Sequence, residues 1–154
     1  MSETQGQQQT VAGGFTREQA SGVLDRVRFD GNGLLTTVVQ QWDTKEVLMV
    51  GWMDREAFLR TMSEGRVTFW SRSRQEYWRK GDTSGHVQYV RGAALDCDGD
   101  TLLVTVEQVG AACHTGTRTC FDADVLRPVV LADSSGIPET AAVTDNASDP
   151  ESPA

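Results

Sequence analysis

Cys97, Cys113 and Cys120 are the only cysteines in the 154-residue chain, and they fall within one 24-residue span, 97–120. Asp96, Asp98, His114 and several glycines are interleaved with them. Zinc is held by Cys, His or carboxylate, and a catalytic zinc takes three protein ligands so that a fourth position stays open to water. The three thiols supply that number. A free cysteine is otherwise a small, commonly buried hydrophobe. Cys97 between two aspartates, and Cys113 within GAACHTGTRTC, are poor matches to a core strand. An odd cysteine count without an apolar secretory run argues against a disulfide framework.

The second chemical cluster is DCDGD, in which Asp96, Asp98 and Asp100 alternate around a tight turn. Three carboxylates repel one another unless a cation neutralises them. Mg²⁺ is such a cation, taking carboxylate oxygens together with substrate phosphate. Asp96, Asp98, Asp100 and Glu107 also sit at positions 1, 3, 5 and 12 of a calcium loop. Thr101 stands where that loop needs glycine, and the following LLVTV is a strand pattern where a helix should begin, so an EF-hand is excluded. An acidic turn in solvent is the plain alternative.

The formal charge of −8 misdescribes the central segment. Six acidic residues lie in the polar ends, 1–14 and 132–154, which leaves −2 for residues 15–131. All 14 basic residues lie in that segment, and Arg66, Arg72, Arg74, Arg79, Lys80 and Arg91 crowd into 66–91. A nucleic-acid footprint is broader and more basic. A small phosphorylated ligand fits better, with a solvated strand face paired to Glu64, Glu76 and Asp82 as the bland reading. Within this stretch KGDTSGH offers Lys80, Thr83, Ser84 and backbone N–H groups of the kind that nest phosphate. Trp78, flanked by basic residues, is the one tryptophan assigned to contact a base, and Trp42, Trp52 and Trp70 are assigned to packing. Zinc-dependent base deaminases need His-x-Glu followed by Pro-Cys-x-x-Cys, which the chain lacks.

The elements that must position these groups read as an α+β fold, a mostly antiparallel β-sheet or barrel-like domain with one or two short helices. Residues 17–26 read as a short helix with Thr16 as N-cap. LLTTVVQQWD and KEVLMVGWM read as a hairpin turning at Asp43–Lys45. Asp54 caps a helix that Gly65 ends. VTFWSRS, HVQYVRGAALDC and TLLVTVEQV read as further strands, the last two joined at Asp98–Gly99. Residues 15–131 are expected to form the folded domain. The ends 1–14 and 132–154 are expected to be disordered, because they lack the apolar surface to offset ordering. No apolar run approaches the roughly 18 residues a membrane span needs. A cytoplasmic protein with reduced thiols, and neither membrane nor nucleic acid as partner, is expected.

Taken together, MVGWMDREAF, TFWSRSRQEYWRKGDTSGH, LDCDGD and ACHTGTRTCF resemble the phosphoribosyl-AMP cyclohydrolases of histidine biosynthesis, in that family's order and spacing, over about residues 29–121. Asp82 and His86 stand in KGDTSGH where Glu and Asn are common alternatives. The resemblance implies Zn²⁺ on Cys97, Cys113 and Cys120 and Mg²⁺ on Asp96, Asp98 and Asp100. It implies a homodimer in which Cys97 reaches a site completed by the partner chain. It implies a nucleotide substrate, AMP bearing a phosphoribosyl group on N1, and hydrolysis of the N1–C6 bond. His114 is then the first choice for shuttling the proton and His86 the second. Arg72, Arg74, Lys80 and Mg²⁺ are the partners for the two phosphates. Two competing readings are a non-enzymatic zinc-stabilised β domain binding a phosphorylated ligand, and a metal-dependent phosphohydrolase that would leave the cysteines idle.

Overall fold

The computed structural model describes residues 14–130. The expected disordered ends, 1–14 and 132–154, therefore lie outside the described residues apart from Gly14. Helix α1, Arg17–Val23, begins at a capping box: Thr16 Oγ1 accepts from the Gln19 N–H at 3.2 Å, and Gln19 Oε1 accepts from the Thr16 N–H at 2.9 Å. A 3-10 turn, Leu24–Arg26, completes it. Helix α2, Arg55–Glu64, starts at Asp54, whose carboxylate accepts from the Ala57 N–H at 2.8 Å, and stops at Gly65 with φ 75°. That φ is left-handed, where glycine carries no Cβ penalty.

Strand β1, Leu35–Gln41, pairs antiparallel with β2, Val47–Met53. A separate two-stranded hairpin is made by β3, Thr68–Ser71, and β4, Glu76–Arg79. Strand β5, Gln88–Leu95, pairs antiparallel with β6, Thr101–Gln108, across the expected Asp98–Gly99 turn. The larger sheet runs β2-β1-β6-β5, and its central pair, β1 with β6, is parallel. The fold is α+β with mostly antiparallel strands, and the sheet is open, β2 and β5 forming its edges.

Alternation in the central strands builds the core. Leu35 and Val39 of β1 and Leu102, Val104 and Val106 of β6 are buried with Leu48, Met49 and Met53 of β2. The Phe58 side chain of α2 and the Phe69 side chain of β3 join them. Burying one such ring is worth about 1.5–3 kcal/mol. Gly51 on β2 is required by this packing, since a Cβ there would lie 2.5 Å from the Phe69 ring. Among the described residues no helix is long and apolar enough to cross a membrane.

The tryptophans depart from the packing assignment. Trp42 is exposed with the Arg91 guanidinium 4.9 Å above its ring, and Trp52 is half-buried beneath Arg72. Both lie on faces of β1 and β2 that point away from the core, which Phe58 and Phe69 fill instead.

Candidate active site

Two thiols converge in the loop after β6. The Ala112 N–H donates to the Arg118 carbonyl at 3.0 Å and the Cys113 N–H to the Thr117 carbonyl at 3.2 Å, which closes 112–118 into a tight loop. Gly116, with φ 95°, makes its turn. Thr119 Oγ1 then caps a 3-10 turn, Cys120–Asp122, by accepting from the Phe121 N–H at 2.9 Å. Cys113 is buried and its Sγ lies 3.0 Å from Thr115 Oγ1. That hydroxyl contact, with the Thr115 backbone, Thr117 and Cys120, lowers the Cys113 thiol to about 7. Burial raises the Cys120 thiol, and neighbouring Cys113 raises it further. The two neighbouring thiols are thus shifted in opposite directions, Cys113 down and Cys120 up.

Lys80 stands beside this pair. Only 5% of its surface is exposed, its Nζ is 5.6 Å from the Trp78 ring, and its electrostatic neighbours are Cys120 and Cys113. Burial lowers its pKa, and the two thiols oppose that shift. Lys80, read from the sequence as a phosphate partner, is thus a buried neighbour of the thiol pair.

The KGDTSGH loop packs against the start of the thiol loop. The Val109 N–H donates to the Val87 carbonyl at 2.8 Å. The His86 ring presses on Gly110 so closely that a Cβ there would lie 2.3 Å from its Cδ2. The His86 N–H donates to Ser84 Oγ at 3.1 Å. Thr83, Ser84 and His114 are exposed, and His114 adjoins Cys113 on the loop.

An open groove of about 540 Å³ lies between β2 and the β3–β4 hairpin, bordered by Trp52, Trp70, Arg72, Arg74 and Trp78. The Arg72 guanidinium sits 3.4 Å from the Trp52 ring centroid. Trp78 borders this groove and also neighbours Lys80, whose own electrostatic neighbours are the two thiols. Much of the remaining basic cluster is already paired: Arg66 and Arg79 with Asp82, Arg74 with Glu76 at 3.4 Å, and Arg91 with Glu107. The pairs of Arg66, Arg79 and Arg74 are to Asp82 and Glu76, two of the carboxylates that the bland reading named, and Arg72 is the cation held over a ring in the groove.

The acidic turn lies at the opposite end of β6. Ligand oxygens of Asp96, Asp98 and Asp100 lie within 4.8 Å of one another, the only such group of three or more His, Cys, Asp or Glu side chains among the described residues. Asp96 Oδ1 accepts from the Asp100 N–H at 3.1 Å and the Thr101 N–H at 3.2 Å. Hydrogen bonding to Asp96 and Asp98 raises the Asp100 carboxyl. For Asp96, burial pushes upward but is outweighed by bonds from Asp100 and the Thr101 N–H, so its pKa falls. Clustered carboxylate oxygens are the ligands that a hard divalent cation takes, so this donor set fits Mg²⁺.

Cys97 is exposed beside that turn and lines a cavity of about 640 Å³ with Asp96 and Asp98. The eight residues of β6 separate it from the thiol loop, about 25 Å at the usual rise per residue. One chain therefore brings Cys113 and Cys120 together and leaves Cys97 apart. The donors fit zinc as a pair plus a third thiolate from elsewhere. The sequence reading missed two residues in the Cys97 cavity, Arg26 and Arg28. Their signal was the alternate spacing of two arginines just ahead of β1, far from the conspicuous basic run.

The family model for phosphoribosyl-AMP cyclohydrolase matches residues 49–122, from within β2 through the thiol loop. The chain is 76% identical over 107 residues to the phosphoribosyl-AMP cyclohydrolase of Leifsonia xyli, covering 70% of this chain and 86% of that protein. It is 74% identical over 111 residues to that of Clavibacter michiganensis, covering 72% and 84% respectively. Against the phosphoribosyl-AMP cyclohydrolase of Bifidobacterium adolescentis it is 65% identical over 109 residues, covering 71% and 81%.

Proposed function

The chain belongs to the phosphoribosyl-AMP cyclohydrolase family, a family of hydrolases, and from that premise we propose that it hydrolyses the N1–C6 bond of N1-phosphoribosyl-AMP in histidine biosynthesis. The product is the ring-opened formimino-carboxamide ribotide. The observation that carries this reading is the convergence of Cys113 and Cys120 in one loop, with buried Lys80 standing between them and Trp78 at the border of an aromatic, arginine-bearing groove. A purine stacks on tryptophan faces, and a guanidinium takes phosphate by its planar fork.

Cys113 and Cys120, with Cys97 of a second copy, would hold zinc, and Asp96, Asp98 and Asp100 would hold Mg²⁺. Zinc bound there supplies a water whose pKa is lowered from about 15.7 toward 7. The working unit is then a homodimer with two equivalent shared sites. Each site combines the thiol loop of one chain with the Cys97 turn of the other, which removes the need to fold β6 back on itself.

The chain's own residues divide the work. Trp78, with Trp52 and Trp70, orients the adenine ring beside the thiols, and Arg72 binds phosphate at the groove's edge. Thr83 and Ser84 add hydroxyl donors from the loop that packs on the thiol loop. His114, exposed next to Cys113, takes a proton from the attacking water and returns it to the N1 side as the C–N bond breaks. His86, fixed against Gly110, holds the two loops in register. Lys80 places its amine beside the thiol pair, where burial lowers its pKa and the thiols oppose that shift. The test is turnover of N1-phosphoribosyl-AMP by the purified zinc-loaded protein with Mg²⁺, followed by the absorbance of the opened product. Absence of turnover in protein carrying both metals would overturn the proposal.

A further inference from the structure

We propose that Arg26 and Arg28 form a second anion site, holding the phosphate of the phosphoribosyl group on the substrate's N1. The inference rests on the function proposed above and names a subsite within it. Both residues lie on the connection between α1 and β1, and both line the cavity of about 640 Å³ that contains Asp96, Cys97 and Asp98. Their backbone is fixed to the acidic turn. The Arg28 N–H donates to the Gly99 carbonyl at 2.8 Å, and a Cβ on Gly99 would lie 2.2 Å from the Arg26 carbonyl oxygen. Gly99 also has φ 77°, so glycine is needed there twice over, for conformation and for close approach.

The guanidiniums are distinguished by what they do not touch. Arg17, Arg60, Arg66, Arg74, Arg79, Arg91 and Arg118 pair with carboxylates. Arg55 and Arg72 lie over the rings of Phe29 and Trp52. Among the described residues, Arg26 and Arg28 make neither kind of contact, although Asp96 and Asp98 share their cavity. Asp96 spends its Oδ1 on backbone N–H groups instead. Two unspent guanidiniums beside a carboxylate cluster suit a phosphate, which arginine binds through its fork while a divalent cation on the carboxylates takes another oxygen.

The substrate carries phosphates at two ends, and the chain offers cations in two places. The tryptophan-lined groove suits the AMP half because it stacks a base. The Arg26–Arg28 cavity has no tryptophan; Phe15 and Phe58 are among its apolar lining and Asp25, Asp96 and Asp98 among its charged lining, so a sugar phosphate there would rest on the two guanidiniums and on a divalent cation that offsets the carboxylates. In a site shared between two chains these cationic ends come from different subunits, and the substrate bridges them.

The experiment uses the zinc-loaded full chain with Mg²⁺ and two probes, ribose 5-phosphate and AMP, each as inhibitor and as titrant in calorimetry. In an Arg26→Gln/Arg28→Gln protein, KM should rise at least about tenfold with kcat within about threefold, as expected for lost charge-assisted hydrogen bonds. Ribose 5-phosphate should weaken by a similar factor and AMP by less than about twofold. Arg26→Lys/Arg28→Lys should recover part of the ribose 5-phosphate binding, since the charge returns without the fork, whereas a fold defect would not be relieved. Unchanged ribose 5-phosphate affinity, or equal weakening of both probes, would overturn the subsite. Lack of turnover by the unsubstituted enzyme would instead count against the function itself, since calorimetry reads the arginines independently of turnover.

Discussion

The Arg72 guanidinium lies 3.4 Å from the centroid of the Trp52 ring, in the groove that Trp70 and Trp78 also border. The contact holds a cation ready for phosphate without ion-pairing it to a carboxylate. Arg72 is exposed, and cation–π contacts at exposed sites are worth about 0.5–1 kcal/mol, so little of the fold depends on it. Arg72→Gln should therefore shift the thermal midpoint by no more than about 5 °C while raising KM at least about tenfold. Melting curves and steady-state kinetics on the same preparation check both parts. An unaltered KM would remove Arg72 from the substrate site.

The two metal sets should separate. Asp98→Asn takes a hard oxygen ligand from the acidic turn and leaves the thiols untouched, and soft and hard donors favour different ions. Activation by Mg²⁺ should weaken while zinc content stays near its unsubstituted value, measured by metal analysis and Mg²⁺ titration. Equal loss of both metals would mean that the two sites are one.

Tyr77 links pH to stability. Burial and the 2.6 Å hydrogen bond its hydroxyl donates to Asp54 raise its pKa to about 12 from the ordinary 10.0. The folded state thus holds the phenolic proton more tightly than the unfolded state does. The associated stabilisation is complete below pH 10 and disappears as pH rises through about 12. Tyr77→Phe should flatten that part of the stability profile in denaturant titrations at pH 9–12. Identical profiles for both proteins would show that the hydroxyl is not coupled to folding.

Gly51 tests the packing beneath the groove. A Cβ at this position would meet the Phe69 ring at 2.5 Å. Gly51→Ala should then cost about 1–3 kcal/mol in chemical denaturation, the usual range for overpacking. A cost under about 0.5 kcal/mol would show that the ring can move aside.

What could be read in the sequence was mostly local. Thr16, Asp54 and Gly65 bound their helices because caps act within four residues of the chain. Asp98–Gly99 makes its hairpin because the turn needs a positive φ there. The parallel pairing of β1 with β6 was hidden, since it joins residues about 65 apart through a register that local patterning does not encode. The burial of Lys80 and the exposure of Trp42 are likewise set by distant neighbours. Within the site, composition pointed to the thiols and carboxylates, whose chemistry is restricted to few residue types. Arg26 and Arg28 were passed over because a pair of arginines gains meaning only when its cavity is seen.

The shared site is tested most directly by complementation. Cys97→Ser and Cys113→Ser proteins, each inactive, are unfolded together, refolded in equal amounts and assayed with N1-phosphoribosyl-AMP. If each site takes Cys97 from one chain and Cys113 with Cys120 from the other, every mixed dimer has one intact site and one doubly damaged site. Random pairing should then restore about a quarter of the unsubstituted activity. No recovery, with mixed dimers demonstrated by mass, would place all three thiolates of a site in a single chain and contradict the account.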